Sequence, residues 1–379
     1  MNLRSGLVIG RVRGIDIRVH WSWLAIFALL TWMLSQELFR DAFPRWPATG
    51  QWAAGVTTAL LFFLSVLIHE LSHALTALRY GMRVPSITLF IFGGVSNLEG
   101  EMHSAGQEFR VAIAGPLMSW LLALLFAVAW FALRTVDVSL ILGYMAVINL
   151  VLGLFNLLPG FPLDGGRVLR SALWARSGDL LRATRTATRI GTAIAYAMVL
   201  LGIVNIVAFG MFGGLWYILV GVFVRSAVRD SYAAVLLEHT LRGARTGDAM
   251  GRSPAPVHAA LSLQRLVDEY WAVSEQRAFL VEQEGAIVGI VTAEDVAAVP
   301  RSIWSTTPVG SSMTRSSELL TVSPRTPLLQ AIRMMEERRL GQLPVLAEGR
   351  LAGLLTREDT QRYLARRAAD GADRAPDAD

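Results

Sequence analysis

Residues 52–78 read WAAGVTTALLFFLSVLIHELSHALTAL, and this stretch decides the fold. Its only ionisable side chains are His69, Glu70 and His73, in the order His69-Glu70-Leu71-Ser72-His73. A run of this length and apolarity can cross a bilayer as one helix. On a helix, positions i and i+4 share a face, so the two imidazoles can grip one metal ion with the glutamate beside it. Each such group costs at least about 2–3 kcal/mol at mid-membrane, so three together demand a chemical reason. A zinc ion there lowers the pKa of its water toward about 7, and Glu70 is placed to act as general base. His69 precedes Arg79 by ten residues, about 15 Å along a helix, which puts the metal inside the cytoplasmic half of the bilayer.

The rest of the chain agrees with a membrane setting. Of 379 residues, 53% are hydrophobic and only 17% charged, and mean hydropathy is +0.45. A soluble domain carries about 25% charge. Apolar segments at 21–38, 52–78, 111–133, 140–158, 190–209 and 212–224 predict about six transmembrane helices. There is no cysteine and no lysine, which excludes disulfides, thiolate metal sites, cysteine nucleophiles and lysine Schiff bases. The first segment follows Arg4, Arg11, Arg13 and Arg18 with no small-residue cleavage site after it, so it reads as an anchor.

All 35 basic residues are arginine. They gather before the first segment, between the fourth and fifth (Arg167 to Arg189), and after the sixth (Arg225, Arg229). By the positive-inside rule, both termini are cytoplasmic in a multi-pass cell-membrane protein. The net charge of +5 is then a topology signal, and no nucleic-acid partner is expected. All-arginine usage suggests a prokaryotic source with a GC-rich genome.

Residues 84–98 (VPSITLFIFGGVSNL) are too short to span and rich in β-branched residues, so they read as strands or a re-entrant hairpin. A third metal ligand is expected at similar depth, because catalytic zinc takes three protein ligands and a water. Asp164 fits, in Asn156-Leu-Leu-Pro159-Gly-Phe-Pro162-Leu-Asp164-Gly165-Gly166. The prolines and glycines break the helix there and let the carboxylate turn inward. Asn156 can offer an amide to a substrate carbonyl, or serve as an ordinary interhelical hydrogen bond. His20 reads as an interfacial residue and His103 as a loop residue.

On these motifs the chain resembles the site-2 protease family of intramembrane zinc metalloproteases, over about residues 10–228. The opening Gly14-Ile-Asp-Ile-Arg-Val-His20-Trp21, the pair Gly93-Gly94 and Gly115-Pro116 also look like that family. The resemblance implies His69, His73 and Asp164 as ligands of one Zn2+ and Glu70 as catalytic base. It further implies that the strand near Gly93 and Gly94 receives an unwound substrate by β-addition. One departure is Ser119, where the family often has asparagine.

From about Thr246 the composition becomes that of a soluble α/β domain. Gly289-Ile-Val-Thr292-Ala-Glu-Asp295 recurs as Gly353-Leu-Leu-Thr356-Arg-Glu-Asp359, and Ala249-Met250 pairs loosely with Ser312-Met313. The repeat resembles a CBS domain pair, a regulatory module that often binds adenosine nucleotides. Thr292, Asp295, Thr356 and Asp359 are the candidate nucleotide contacts. Thr-x-x-Asp is equally a helix-capping signal, and dimerisation is the other role for the pair.

The expected architecture is a polytopic α-helical membrane protein of about six transmembrane helices with a small re-entrant β region, followed by a soluble α/β CBS pair. Residues 1–228 form the protease core, 229–245 a linker, 246–366 the CBS pair and 367–379 a disordered tail. The expected function is an endopeptidase in the lipid bilayer, cleaving transmembrane segments of membrane-tethered protein substrates. The CBS pair would serve nucleotide sensing or homodimerisation. The alternative is a CBS-regulated divalent metal transporter or channel, with the same three ligands as a transit site.

Overall fold

The computed structural model describes residues 6–99, 102–134, 139–210, 213–251, 255–273, 278–338, 340–347 and 350–372. It divides into two units, Met1–Val235 and Leu236–Asp379. The division falls within the helix Gly214–Thr240, inside the stretch expected as a linker.

Among the described residues of the first unit, five helices are long and apolar enough to cross a membrane: Trp21–Ala42, Ala48–Arg79, Ala105–Ala132, Ser139–Asn156 and Leu180–Phe209. The sixth expected segment is the start of the helix Gly214–Thr240, which soon meets Arg225, Arg229 and Asp230 and so lacks a charge-free span. The arginine-rich stretch after Asp164 is also helical, as the short helix Asp164–Ser177.

A four-stranded sheet precedes and interrupts these helices. Strands β1 (Leu7–Val12) and β2 (Ile15–Val19) form a hairpin that turns at Arg13 and Gly14, both at positive φ, as a two-residue turn requires. Strands β3 (Arg83–Phe90) and β4 (Gly93–Glu99) form a second hairpin, and β2 joins β3 in parallel to give the order β1-β2-β3-β4. Residues 84–98 are therefore strands of a mixed sheet, and β4 is an end strand. Ile15, Ile17, Val84 and Ile87 bury against Ala74, Ala77 and Val111, which seats the sheet beside the C-terminal end of the HExxH helix. At the hairpin tip, Phe92 stacks on Phe223 at 4.1 Å between ring centres.

His20 is a buried N-cap, not an interfacial residue. Its Nδ1 accepts from the Ser22 N–H at 3.3 Å, and the His20 backbone N–H donates to the Leu89 carbonyl at 2.9 Å. The residue thus stitches the first long helix to β3 through its backbone, while its side chain caps the helix.

In the second unit both copies of the repeat end a strand: Ala286–Thr292 pairs with Ala278–Gln283, and Arg350–Thr356 with Gln342–Ala347. The two copies are crossed. A Cβ on Gly289 would lie 2.7 Å from Met313 Sδ, and one on Gly353 3.1 Å from Met250 Sδ. Each repeat glycine thus makes room for the methionine of the other copy, which gives the loose Met250/Met313 correspondence a packing role. The last helix, Arg357–Ala372, runs through the first part of the expected tail; residues 373–379 lie outside the described residues.

Candidate active site

Four elements converge on the HExxH motif. His69 and His73 lie one turn apart on the helix Ala48–Arg79 and both are buried. Asp164 opens its helix as the first residue, after the proline-broken loop. Its Oδ2 stands 3.2 Å from His69 Nε2 and 3.1 Å from His73 Nε2, and the two Nε2 atoms are 3.2 Å apart. Donors bound to zinc at about 2.0 Å with tetrahedral angles stand about 3.3 Å from one another. The donor set, two imidazoles and a carboxylate, and its spacing both fit zinc.

The far nitrogens of both rings are occupied. His73 Nδ1 is 2.6 Å from the Val111 carbonyl and can only donate there, so its Nε2 presents a lone pair. His69 Nδ1 is 2.9 Å from Ser119 Oγ. Such outer partners fix ring orientation and tautomer. The departure at Ser119 therefore still supplies a polar partner to a ligand histidine.

Val111 and Ser119 come from the helix Ala105–Ala132, and so does Gly115 between them. A Cβ at Gly115 would sit 2.2 Å from His73 Nε2 and 2.6 Å from His69 Nε2. Only glycine lets the helix backbone pass this close to the two rings. Gly165 and Gly166 are equally constrained, by the Leu157 carbonyl at 2.2 Å and the Phe161 nitrogen at 2.2 Å. They fold the Asn156–Leu163 loop back onto the Asp164 helix. The loop is also held by the Phe161 N–H, which donates to the Ala187 carbonyl.

Glu70 points toward β4. Its Oε2 accepts from Ser96 Oγ at 2.7 Å, and a Cβ on Gly94 would lie 2.5 Å from its Cγ. Gly93, at φ +129°, opens the strand opposite Phe90. Ser96 escaped the sequence reading, although the two-residue strand period puts it on the same face as Gly94. Asn156 donates its amide to the Leu152 carbonyl of its own helix at 3.0 Å. The buried interhelical amide is Asn149, whose Nδ2 reaches Ser65 at 3.2 Å, one turn before His69.

The Thr/Asp pairs of the second unit are complete capping boxes. Asp295 Oδ2 accepts from the Thr292 N–H (2.8 Å) and hydroxyl (2.9 Å), and the Asp295 N–H returns to Thr292 Oγ1 (3.2 Å). Thr356 and Asp359 repeat the pattern at 3.1, 2.6 and 3.1 Å.

Comparison with known proteins places the chain in a family. The family model described as Peptidase family M50 matches residues 57–138 and 132–202. The chain is 34% identical to a Mycobacterium tuberculosis protein named zinc metalloprotease Rip3, over 96% of this chain and 93% of that one. The chain belongs to peptidase family M50, the site-2 proteases. A Synechocystis relative named zinc metalloprotease sll0528 is 33% identical over 97% of both chains. A Methanocaldococcus jannaschii relative, zinc metalloprotease MJ0392, is 31% identical over 61% of this chain and 66% of its own. The CBS domain model matches residues 309–366, the second copy of the repeat. This M50 member is a membrane zinc metalloprotease with a CBS regulatory module, and nothing supports the transporter reading.

Proposed function

We propose that this M50 protease cuts peptide bonds within the membrane, in transmembrane segments of tethered proteins, with His69, His73 and Asp164 holding one zinc ion. The observation that carries the reading is that Asp164 Oδ2 comes within 3.2 Å of His69 Nε2 and His73 Nε2, on a helix whose only other ionisable side chain across 52–78 is Glu70.

Zinc held by His69, His73 and Asp164 would supply an electrophile for the scissile carbonyl and would acidify a water. The Glu70 carboxylate is placed to accept a proton from an attacking water and would return it to the leaving amide nitrogen. Ser96 holds the Glu70 carboxylate in place through Oε2. The Val111 carbonyl and Ser119 keep the rings aimed. A helical substrate shields its own amides, so it must unwind; β4, as an end strand beside Glu70, offers backbone groups to an extended peptide. The arginine distribution supports a multi-pass topology with both termini cytoplasmic.

For the CBS pair, the reading is an adenosine nucleotide contacted at Thr292, Asp295, Thr356 and Asp359, with homodimerisation as the second role. In that reading Asp295 and Asp359 would turn from their capping boxes to the ribose hydroxyls, which frees the helix-start N–H groups for phosphate.

The test is metal analysis and proteolysis in proteoliposomes. Wild-type protein and Glu70→Gln should each carry one zinc, and His69→Ala, His73→Ala and Asp164→Asn should not. Wild type should cleave a reconstituted transmembrane segment within its apolar span, stop on chelation and resume with zinc. Zinc-loaded Asp164→Asn would remove Asp164 from the ligand set.

A further inference from the structure

The helix Ala105–Ala132 presents one buried stripe to the site: Glu108, Val111, Ala112, Gly115 and Ser119. Three of these act on the histidines directly, through the Val111 carbonyl, the space left at Gly115 and the Ser119 hydroxyl. Glu108 does not. Its fully buried carboxylate faces Arg170 instead, whose Nε donates to Oε1 at 2.7 Å and whose Nη2 reaches the same oxygen. Arg170 lies six residues after Asp164 on the helix Asp164–Ser177, and its guanidinium also covers the Phe161 ring at 4.6 Å.

The histidines and Asp164 are far apart in sequence and on separate helices. The histidines' outer partners sit on the Glu108 helix, and Asp164 heads the Arg170 helix. Nothing caps the start of the Asp164 helix with a side chain, so its register depends on how the helix is docked. A two-nitrogen guanidinium grip is directional, whereas packing of small residues is not.

We propose that Glu108 and Arg170 form the positioning pair that sets Asp164 at ligand distance from His69 and His73. The pair joins the helix that orients the imidazoles to the helix that carries the carboxylate. It rests on the reading of Asp164 as a ligand, and the experiment separates the two.

The full chain in detergent is titrated with a zinc-competing chelator. In parallel, the visible bands of the cobalt-substituted protein report the geometry of the metal site. Arg170→Lys keeps the buried charge but replaces the fork with a point donor. It should fold with the wild-type melting temperature, bind zinc about 10–100-fold more weakly and shift the cobalt bands, as loss of an outer partner does. Glu108→Arg combined with Arg170→Glu should recover most of the affinity if either single change fails to fold. Asp164→Asn is the reference. Unchanged zinc affinity and cobalt bands in Arg170→Lys, with zinc lost in Asp164→Asn, would overturn the positioning role and leave the ligand reading intact. Zinc retained in Asp164→Asn would overturn both.

Discussion

Ser96 Oγ donates to Glu70 Oε2 at 2.7 Å, and so ties the end strand of the sheet to the carboxylate placed as general base. Gly94, two residues earlier on the same strand face, lets the backbone approach the Glu70 side chain. The strand proposed to receive substrate is thus in contact with the group proposed to move the proton. A hydrogen bond to a charged group is worth about 1.5–3 kcal/mol. Ser96→Ala should lower kcat at least about tenfold with zinc content unchanged, and Ser96→Thr should recover much of it. Equal kcat for Ser96→Ala and wild type would detach β4 from the base.

Gly115 has no room for a side chain. Alanine is the better helix former, so on propensity alone Gly115→Ala should stabilise its helix. The methyl group would instead collide with both Nε2 atoms. The expected protein is folded and membrane-inserted but purifies without zinc, measured as metal per chain by elemental analysis. Full metal loading would show that the rings can move aside.

Ser119→Ala removes the partner of His69 Nδ1 without adding bulk. Zinc affinity should fall about 10–100-fold. Ser119→Asn should bind more tightly than Ser119→Ala, because an amide oxygen can accept the same N–H.

The membrane core was legible because each cue is local. A charge-free apolar run, i and i+4 histidines and a proline–glycine break need no knowledge of the partners. The 84–98 hairpin followed from β-branching and length. The parallel β2–β3 pairing did not, since it joins residues about 70 apart. Ser96, Val111 and the Glu108–Arg170 pair were equally out of reach, because a polar residue on a strand or helix shows its purpose only once its neighbour is placed. Arg170 in particular reads in sequence as one more topology-setting arginine, yet it is buried against Glu108. His20 misled for a related reason: an aromatic-flanked histidine before an apolar run suits the interface, but here the chain turns it inward as a cap.

In the second unit, the carboxylates of Asp295 and Asp359 already close capping boxes. Asp359→Ala should destabilise the unit by about 1 kcal/mol from the lost cap alone. Adding AMP should raise the melting temperature of the wild-type chain and leave that of Asp295→Ala/Asp359→Ala unmoved. An equal AMP shift in both would place any nucleotide away from these residues.

Glu70 is the residue proposed to make this chain a protease acting inside the membrane. That role is tested most directly by comparing cells that carry wild-type protein or Glu70→Gln at matched expression, with the peptide termini of membrane proteins read by mass spectrometry. Termini within hydrophobic segments should disappear in Glu70→Gln and their longer precursors should accumulate, in cells where those precursors have been trimmed outside the membrane. Identical terminal profiles, with both proteins zinc-loaded and trimmed precursors present, would contradict it.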